Sequence, residues 1–267
     1  MRIAFVRAVL GSVAVGELAW SLLFYLRPEA ALAALGRGVL DPVIARQYPL
    51  YLASVALAYA LAATDPPRYR GIVWICMAQR GVEVAVALID WRAHAIATSS
   101  LVWLGTLEIA IALVLLLALR RGVTVARGRA LPEPRDRGLV RLLRAFGGLQ
   151  LFWFFASTIF VQLGARLLGW KLQDPYTTQQ QGIALLIIGL TSLLAASDVS
   201  RYRVFVWVPI ASQLIGMVNA LNEIRLGSIG WGPAAVQWTI ESAIAGAFVY
   251  FSRHQLRAIK PTHALAE

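Results

Sequence analysis

Residues 51–90 read YLASVALAYALAATDPPRYRGIVWICMAQRGVEVAVALID, in which the polar turn DPPRYR at 65–70 separates two apolar runs. The full runs cover 47–64 and 71–90. A helix that crosses a bilayer needs roughly 20 predominantly apolar residues, and the consecutive prolines stop the first helix before the turn. The segment therefore predicts two membrane-spanning helices joined by a short polar turn.

The composition of the whole chain extends this interpretation. Of the 267 residues, 59% are hydrophobic and only 15% are charged, with a mean hydropathy of +0.66. Soluble domains carry about 25% charged residues, so this composition disfavours a soluble globular protein. We predict an all-α integral membrane protein with eight transmembrane helices. Their predicted cores are 4–26, 47–64, 71–90, 96–119, 145–168, 180–197, 204–222 and 231–251.

The distribution of basic residues predicts the orientation. With eight spans both termini lie on one side, and 17 of the 25 lysines and arginines fall on that side, against seven on the other. The positive-inside rule then places both termini in the cytoplasm, together with the basic linker at 122–140. The net charge of +11 is thus attributed to cytoplasmic loops and lipid headgroups, and no nucleic-acid partner is expected.

An internal repeat is visible at an interval of 133 residues. The turn at 65–70 recurs as DVSRYR at 198–203, and 41–121 align with 174–254 without a gap, with 25 of 81 positions identical. We predict a first four-helix unit at 1–121 and a second at 141–267. Because each has an even number of spans, the units are expected to be parallel, related by an axis along the membrane normal. The alternative is a duplication kept for stability, with one functional half.

Charged residues fall in the middle of predicted spans of the first half: Glu17, Arg80, Glu83 and Glu108. Such groups are costly in a membrane and usually face the interior of a bundle. Helical spacing puts Arg80 and Glu83 on one face, which Gln79 joins. We predict that these five residues form one polar pocket. Three carboxylates around one guanidinium carry a net negative charge that burial disfavours. Either one carboxyl is protonated, or a cation or a ligand that donates hydrogen bonds binds there, or one of the residues faces water.

The second half has lost most of these charges. Glu241 repeats Glu108, with Asn219 nearby as a hydrogen-bonding candidate. Gln213, Gly216 and Phe154 replace Arg80, Glu83 and Glu17, respectively. We therefore expect the first half to carry any function of the pocket. The competing interpretation is that the polar groups only hold helices together.

A family resemblance rests on residues 48–90. There an apolar helix, the motifs Ala62-Ala63-Thr64-Asp65-Pro66 and Arg68-Tyr69-Arg70, and a second apolar helix follow one another. This arrangement resembles small four-helix bacterial membrane proteins of the DoxX-like type. The resemblance implies a four-helix bundle in each half, a tandem fusion in the bacterial inner membrane, and an association with membrane redox complexes. It assigns no catalytic residue in this chain.

Three functions remain open, in order of preference. The first is a non-enzymatic accessory subunit of a respiratory or photosynthetic membrane complex, with the bilayer and other membrane subunits as partners. The second is a carrier or binder of a small lipophilic ligand or a proton at the polar pocket. The third is a membrane enzyme that uses a carboxylate pair on a lipophilic substrate. We find no metal-ligand cluster, phosphate-binding loop or nucleophile elbow, and expect no bound cofactor or metal.

Overall fold

The computed structural model describes residues 2–94, 96–120, 136–168, 172–227 and 229–257, and these residues form helices without any strand. Eight of the helices in these residues are 18–27 residues long, and three are shorter. Their bounds are α1 Arg2–Leu26, α2 Pro28–Ala34, α3 Pro42–Thr64, α4 Arg70–Arg92, α5 Thr98–Arg120, α6 Arg137–Phe154, α7 Val161–Leu168, α8 Pro175–Ser197, α9 Val199–Tyr202, α10 Trp207–Arg225 and α11 Trp231–Arg257. A 3₁₀ turn, Arg203–Val206, joins α9 to α10.

Six helical segments are long and apolar enough to cross a membrane. They are Ile3–Leu26, Arg70–Arg92, Thr98–Leu117, Arg137–Ile159, Pro175–Ser197 and Val199–Arg225. Helices α3 and α11, with 23 and 27 residues, have the length of a span but do not reach the same apolar composition. Within the described ranges the structure is therefore all-helical with six candidate spans, two fewer than the sequence predicts.

The short helix α2 and the start of α6 are the main differences from the predicted elements. Helix α6 begins at Arg137, so the last residues of the predicted 122–140 linker are helical, whereas 121–135 lie outside the described residues. The predicted span 145–168 is also interrupted. A π-helical turn, Phe155–Ile159, follows α6, and the helix breaks at Phe160 before α7. Sharp changes of helix direction commonly occur at π-helical turns. Here the Thr158 hydroxyl donates to the Gln179 carbonyl of α8 (3.1 Å), and the Gln179 amide donates to the Thr158 carbonyl (3.4 Å).

Two helices begin at the same local signal. The Asp41 carboxylate accepts hydrogen bonds from the backbone N–H groups of Val43 and Ile44, and Pro42 occupies the first helical position of α3. Asp174 caps α8 in the same way, with Pro175 following it. An aspartate cap followed by proline is a strong start signal because it satisfies free N–H groups and presets φ. Helix bounds also recur at an interval of 133 residues: α3 with α8, and the starts of α5 and α11.

The two central helices are α3 and α8, which pack against each other. Helix α1 packs on α3, α6 on α8, α4 on α5, and α10 on α11. Contacts also cross between the halves, because α3 touches α10 and α4 touches α8. Burial follows this order: 67% of the apolar segment of α8 is buried, against 17% of that of α5. Helix α8 is therefore a core element, whereas α5 lies at the periphery.

The two RYR turns contact each other reciprocally. Arg68 Nε donates to the Arg201 carbonyl (3.1 Å), and Arg201 Nε donates to the Arg68 carbonyl (2.5 Å). Each arginine also lies over the ring of the tyrosine that follows it, at 5.6 Å for Tyr69 and 5.4 Å for Tyr202. Burial raises the pKa of the Tyr69 hydroxyl above its ordinary value.

Candidate functional site

Four charged side chains from three helices meet in the first half. Arg80 Nη1 lies 2.7 Å from Glu108 Oε2 and 3.1 Å from Glu83 Oε2, and Arg80 Nη2 pairs with Glu17 Oε1. Glu17 comes from α1, Arg80 and Glu83 from α4, and Glu108 from α5. We call these four residues the charged cluster.

Gln79 and Tyr59 support the cluster from the side. The Gln79 side-chain amide donates to Glu83 Oε1 (2.6 Å), and its oxygen accepts a hydrogen bond from the Tyr59 hydroxyl. Tyr59, on α3, is fully buried. Because the hydroxyl donates to the amide oxygen, the amide NH₂ must face Glu83. The structure thus brings Glu17, Gln79, Arg80, Glu83 and Glu108 together.

The cluster is buried and carries more negative than positive charge. Side-chain exposure is 5% for Arg80, 11% for Glu17 and Glu108, and 17% for Glu83. If all four groups ionise, the net charge is about −2, which a low-dielectric site does not tolerate without compensation. Two buried atoms, Arg80 Nε and Glu83 Oε2, have no hydrogen-bond partner among the described residues. The Glu83 oxygen is within ion-pair distance of Arg80, but the geometry is not that of a hydrogen bond.

A cavity of about 80 Å³ adjoins the cluster. It is large enough for a few water molecules. All four charged residues line it, and the second half of the chain contributes three of its wall residues. The complete lining consists of Glu17, Trp20, Phe24, Leu35, Tyr48, Arg80, Glu83, Val84, Ala87, Leu104, Gly105, Glu108, Tyr176, Thr177 and Gln180.

The lining residues lie from the middle of the bundle toward one end. Leu35 follows α2, and the others lie in the C-terminal half of α1, from the middle of α4 toward its C-terminus, and in the N-terminal halves of α3, α5 and α8. The short connection between α3 and α4, and that between α4 and α5, reverse the chain direction, so these parts share one end. The cavity therefore lies in the half of the bundle away from the N-terminus of α1.

Arg37 and Tyr176 connect the cavity with a second polar group. Arg37 Nη2 pairs with Asp174 Oδ1 at 3.3 Å, and its guanidinium lies 4.6 Å from the centre of the Tyr176 ring. Tyr176 also lines the cavity. Sequence reasoning missed Arg37, Tyr176 and the other α8 residues because they come from a loop region and from the opposite half. Asp90, one turn beyond Ala87 on α4, is also buried, at 5% exposure.

The second half does not rebuild the charged cluster. The Glu241 carboxylate packs so closely on Gly216 that a Cβ there would overlap it. Gln237 donates to the Gly216 carbonyl (3.2 Å), and Glu241 Oε2 is buried without a hydrogen-bond partner in the part of the chain that the structure describes. Gly216 thus makes room for the carboxylate at the position where Glu83 stands in the first half.

The two other residues predicted for the second half, Gln213 and Asn219, form hydrogen bonds away from Glu241. Gln213 donates to the Ser212 hydroxyl (3.2 Å), and Asn219 donates to Glu223 (2.5 Å). The hydrogen bonds of Gln213 and Asn219 therefore go to different partners, in contrast to the convergence on Arg80.

Fold and site together define an all-helical protein that has several helices apolar enough to cross a membrane and a buried charged cluster beside a cavity. Comparison of the chain with family models, with curated proteins and with solved structures finds no significant match.

Proposed function

We propose that the chain is a multi-pass protein of the bacterial inner membrane that binds a small ligand or a proton at the charged cluster. One observation carries the proposal: three carboxylates converge on a single guanidinium beside a cavity. A cluster that only held helices together would be more stable with matched charges, because uncompensated charge in a low dielectric is costly. The excess of carboxylates instead favours a group that binds a proton or a ligand donor.

The same proposal includes eight spanning helices arranged as two parallel four-helix units of the DoxX-like type. The support is the recurrence of helix bounds at 133 residues and the reciprocal bonds between Arg68 and Arg201. A contact in which one residue meets its own counterpart in both directions is typical of a two-fold axis. With both termini in the cytoplasm, the cavity faces the periplasmic half of the membrane.

Infrared difference spectroscopy of the full-length protein in lipid nanodiscs tests the proposal. A carboxyl that exchanges a proton or receives a ligand changes its carbonyl absorption when pH or ligand changes. We expect such a band in the wild type and its loss in Glu83→Gln. The matched control is Glu241→Gln, the same substitution at a carboxylate outside the cavity, which should keep the band. A wild-type spectrum without any such band, or one that Glu83→Gln leaves unchanged, would contradict the proposal.

An accessory role in a larger membrane complex is a second proposal. Its support is the exposed apolar surface of α5, including Val102, Leu107, Ile109, Leu113 and Leu117. Lipid covers such a surface as well as a partner helix does, so co-purification has to distinguish the two. A tagged chain should co-purify with other membrane subunits from native membranes in a mild detergent, and Leu113→Glu should abolish the association. A chain that purifies alone would overturn this role without affecting the binding proposal.

A further inference from the structure

We propose that the cavity takes a small organic ammonium ion, with its charged nitrogen toward the carboxylates and its alkyl part against the aromatic walls. The inference rests on the proposed function and specifies the ligand class of the same site. Three independent properties carry it: the charge of the cluster, the aromatic lining and the size of the cavity.

The charge excludes an anion and favours a cation. Both terminal nitrogens of Arg80 already contact carboxylates, Nη1 with Glu108 and Glu83 and Nη2 with Glu17. An anionic ligand would therefore meet three carboxylates and a guanidinium whose outer nitrogens are engaged. A cation would instead bring the site closer to neutrality. Glu83 Oε2, buried and without a hydrogen bond from any described residue, can accept one from an ammonium N–H.

Four aromatic side chains line the cavity. Trp20 and Phe24 pack edge to face with ring centres 5.6 Å apart, and Phe24 and Tyr48 do the same at 5.3 Å. Tyr176 lines the cavity from α8. Aromatic faces attract organic cations through their quadrupole, and ammonium ligands are often bound by several rings. The Tyr176 ring already interacts with one cation, the Arg37 guanidinium at 4.6 Å.

The size of the cavity limits the ligand to a few heavy atoms. An apolar cavity of about 150 Å³ accommodates benzene, with its six carbons. By proportion, about 80 Å³ accommodates three or four heavy atoms. Ethylammonium has this size and carries both a charged head and an apolar part, so it is the appropriate probe.

Equilibrium binding of ethylammonium to the full-length protein in nanodiscs tests the inference, with ethanol as the neutral analogue and acetate as the anion of similar size. We expect saturable binding of ethylammonium at one site and none of ethanol or acetate over the same concentrations. Glu83→Gln should weaken ethylammonium binding roughly thirtyfold or more, the loss typical for removing one partner of a buried charge pair. Glu241→Gln should leave it unchanged.

Trp20→Leu provides a second variant that keeps every charge and removes one ring. It should weaken binding by roughly fivefold or more, since a cation–π contact contributes about 1 kcal/mol, and more when it is desolvated. It therefore decides the question if Glu83→Gln does not fold, as judged by size-exclusion chromatography. Binding of ethylammonium that neither variant weakens would overturn the inference.

The controls separate the two proposals. If ethanol or acetate binds and ethylammonium does not, the site binds a ligand but the cation assignment is wrong. If no probe binds while the carboxyl band at Glu83 still responds to pH, the cluster is a proton site and the ammonium inference is wrong. If no probe binds and no band responds, both the inference and the proposed function are wrong.

Discussion

Arg80→Gln is the substitution that tests the charged cluster most directly, because it installs the residue that stands at the equivalent position 213. It removes the only cation that contacts Glu17, Glu83 and Glu108 in the described structure. At an effective dielectric of about 20, a pair of unit charges 4 Å apart attracts by about 4 kcal/mol, and three such attractions are lost. Desolvation and proton uptake offset part of this, so we expect the free energy of unfolding to fall by about 3–5 kcal/mol.

The measurement is reversible unfolding in mixed micelles, followed by circular dichroism as the fraction of denaturing detergent rises. The decisive comparison adds Glu→Gln at all three carboxylates to Arg80→Gln, which should recover most of the lost stability because no charge then remains in the cluster. As a control, Gln213→Ala should cost only about 1 kcal/mol, since that amide makes one neutral hydrogen bond, to Ser212. The reasoning is refuted if Arg80→Gln costs no more than this control, or if neutralising the carboxylates does not restore stability.

Two further substitutions test the packing around the site. Gly216 lies inside α10, where alanine is ordinarily about 1 kcal/mol more favourable than glycine. The Cβ of Gly216→Ala would overlap the Glu241 carboxylate, so we expect this variant to lack that gain in stability. Glu241→Ala in the same chain should restore the gain, and an additive double variant would argue against the contact. Asp41→Ala should cost about 1 kcal/mol in the same unfolding assay as a lost helix cap, whereas Asp174→Ala should cost more because Asp174 also pairs with Arg37. Equal losses for the two caps would show that the pair with Arg37 contributes nothing.

Much of the helical architecture can be read from the chain, because apolar runs and helix breakers are local signals. The turn at 65–70, the caps at Asp41 and Asp174, and the ends of the long helices all follow from short stretches of sequence. The number of helices that cross the membrane is harder to predict from the sequence. Helix α3 has a span's length but contains polar residues near Pro49, so length and composition point in different directions.

The site shows the same division between local and distant signals. Helical spacing predicts that Gln79, Arg80 and Glu83 share a face, and the structure places all three in one network. The α8 wall of the cavity could not be predicted, because Tyr176 reaches it only through the packing of α3, α4 and α8. The π-helical turn before Phe160 likewise has no local breaker in the sequence, and Thr158 within it bonds to the backbone of a distant helix.

The position of α8 has a consequence for the evolution of the chain. The second half of the chain supplies Tyr176, Thr177 and Gln180 to a cavity whose charged residues all come from the first half. A gene encoding the first half alone would therefore produce a cavity without one of its walls. If the two halves arose by the duplication proposed above, the loss of the second copy would open the cavity of the first. Selection on the cavity would then act on both halves as one unit.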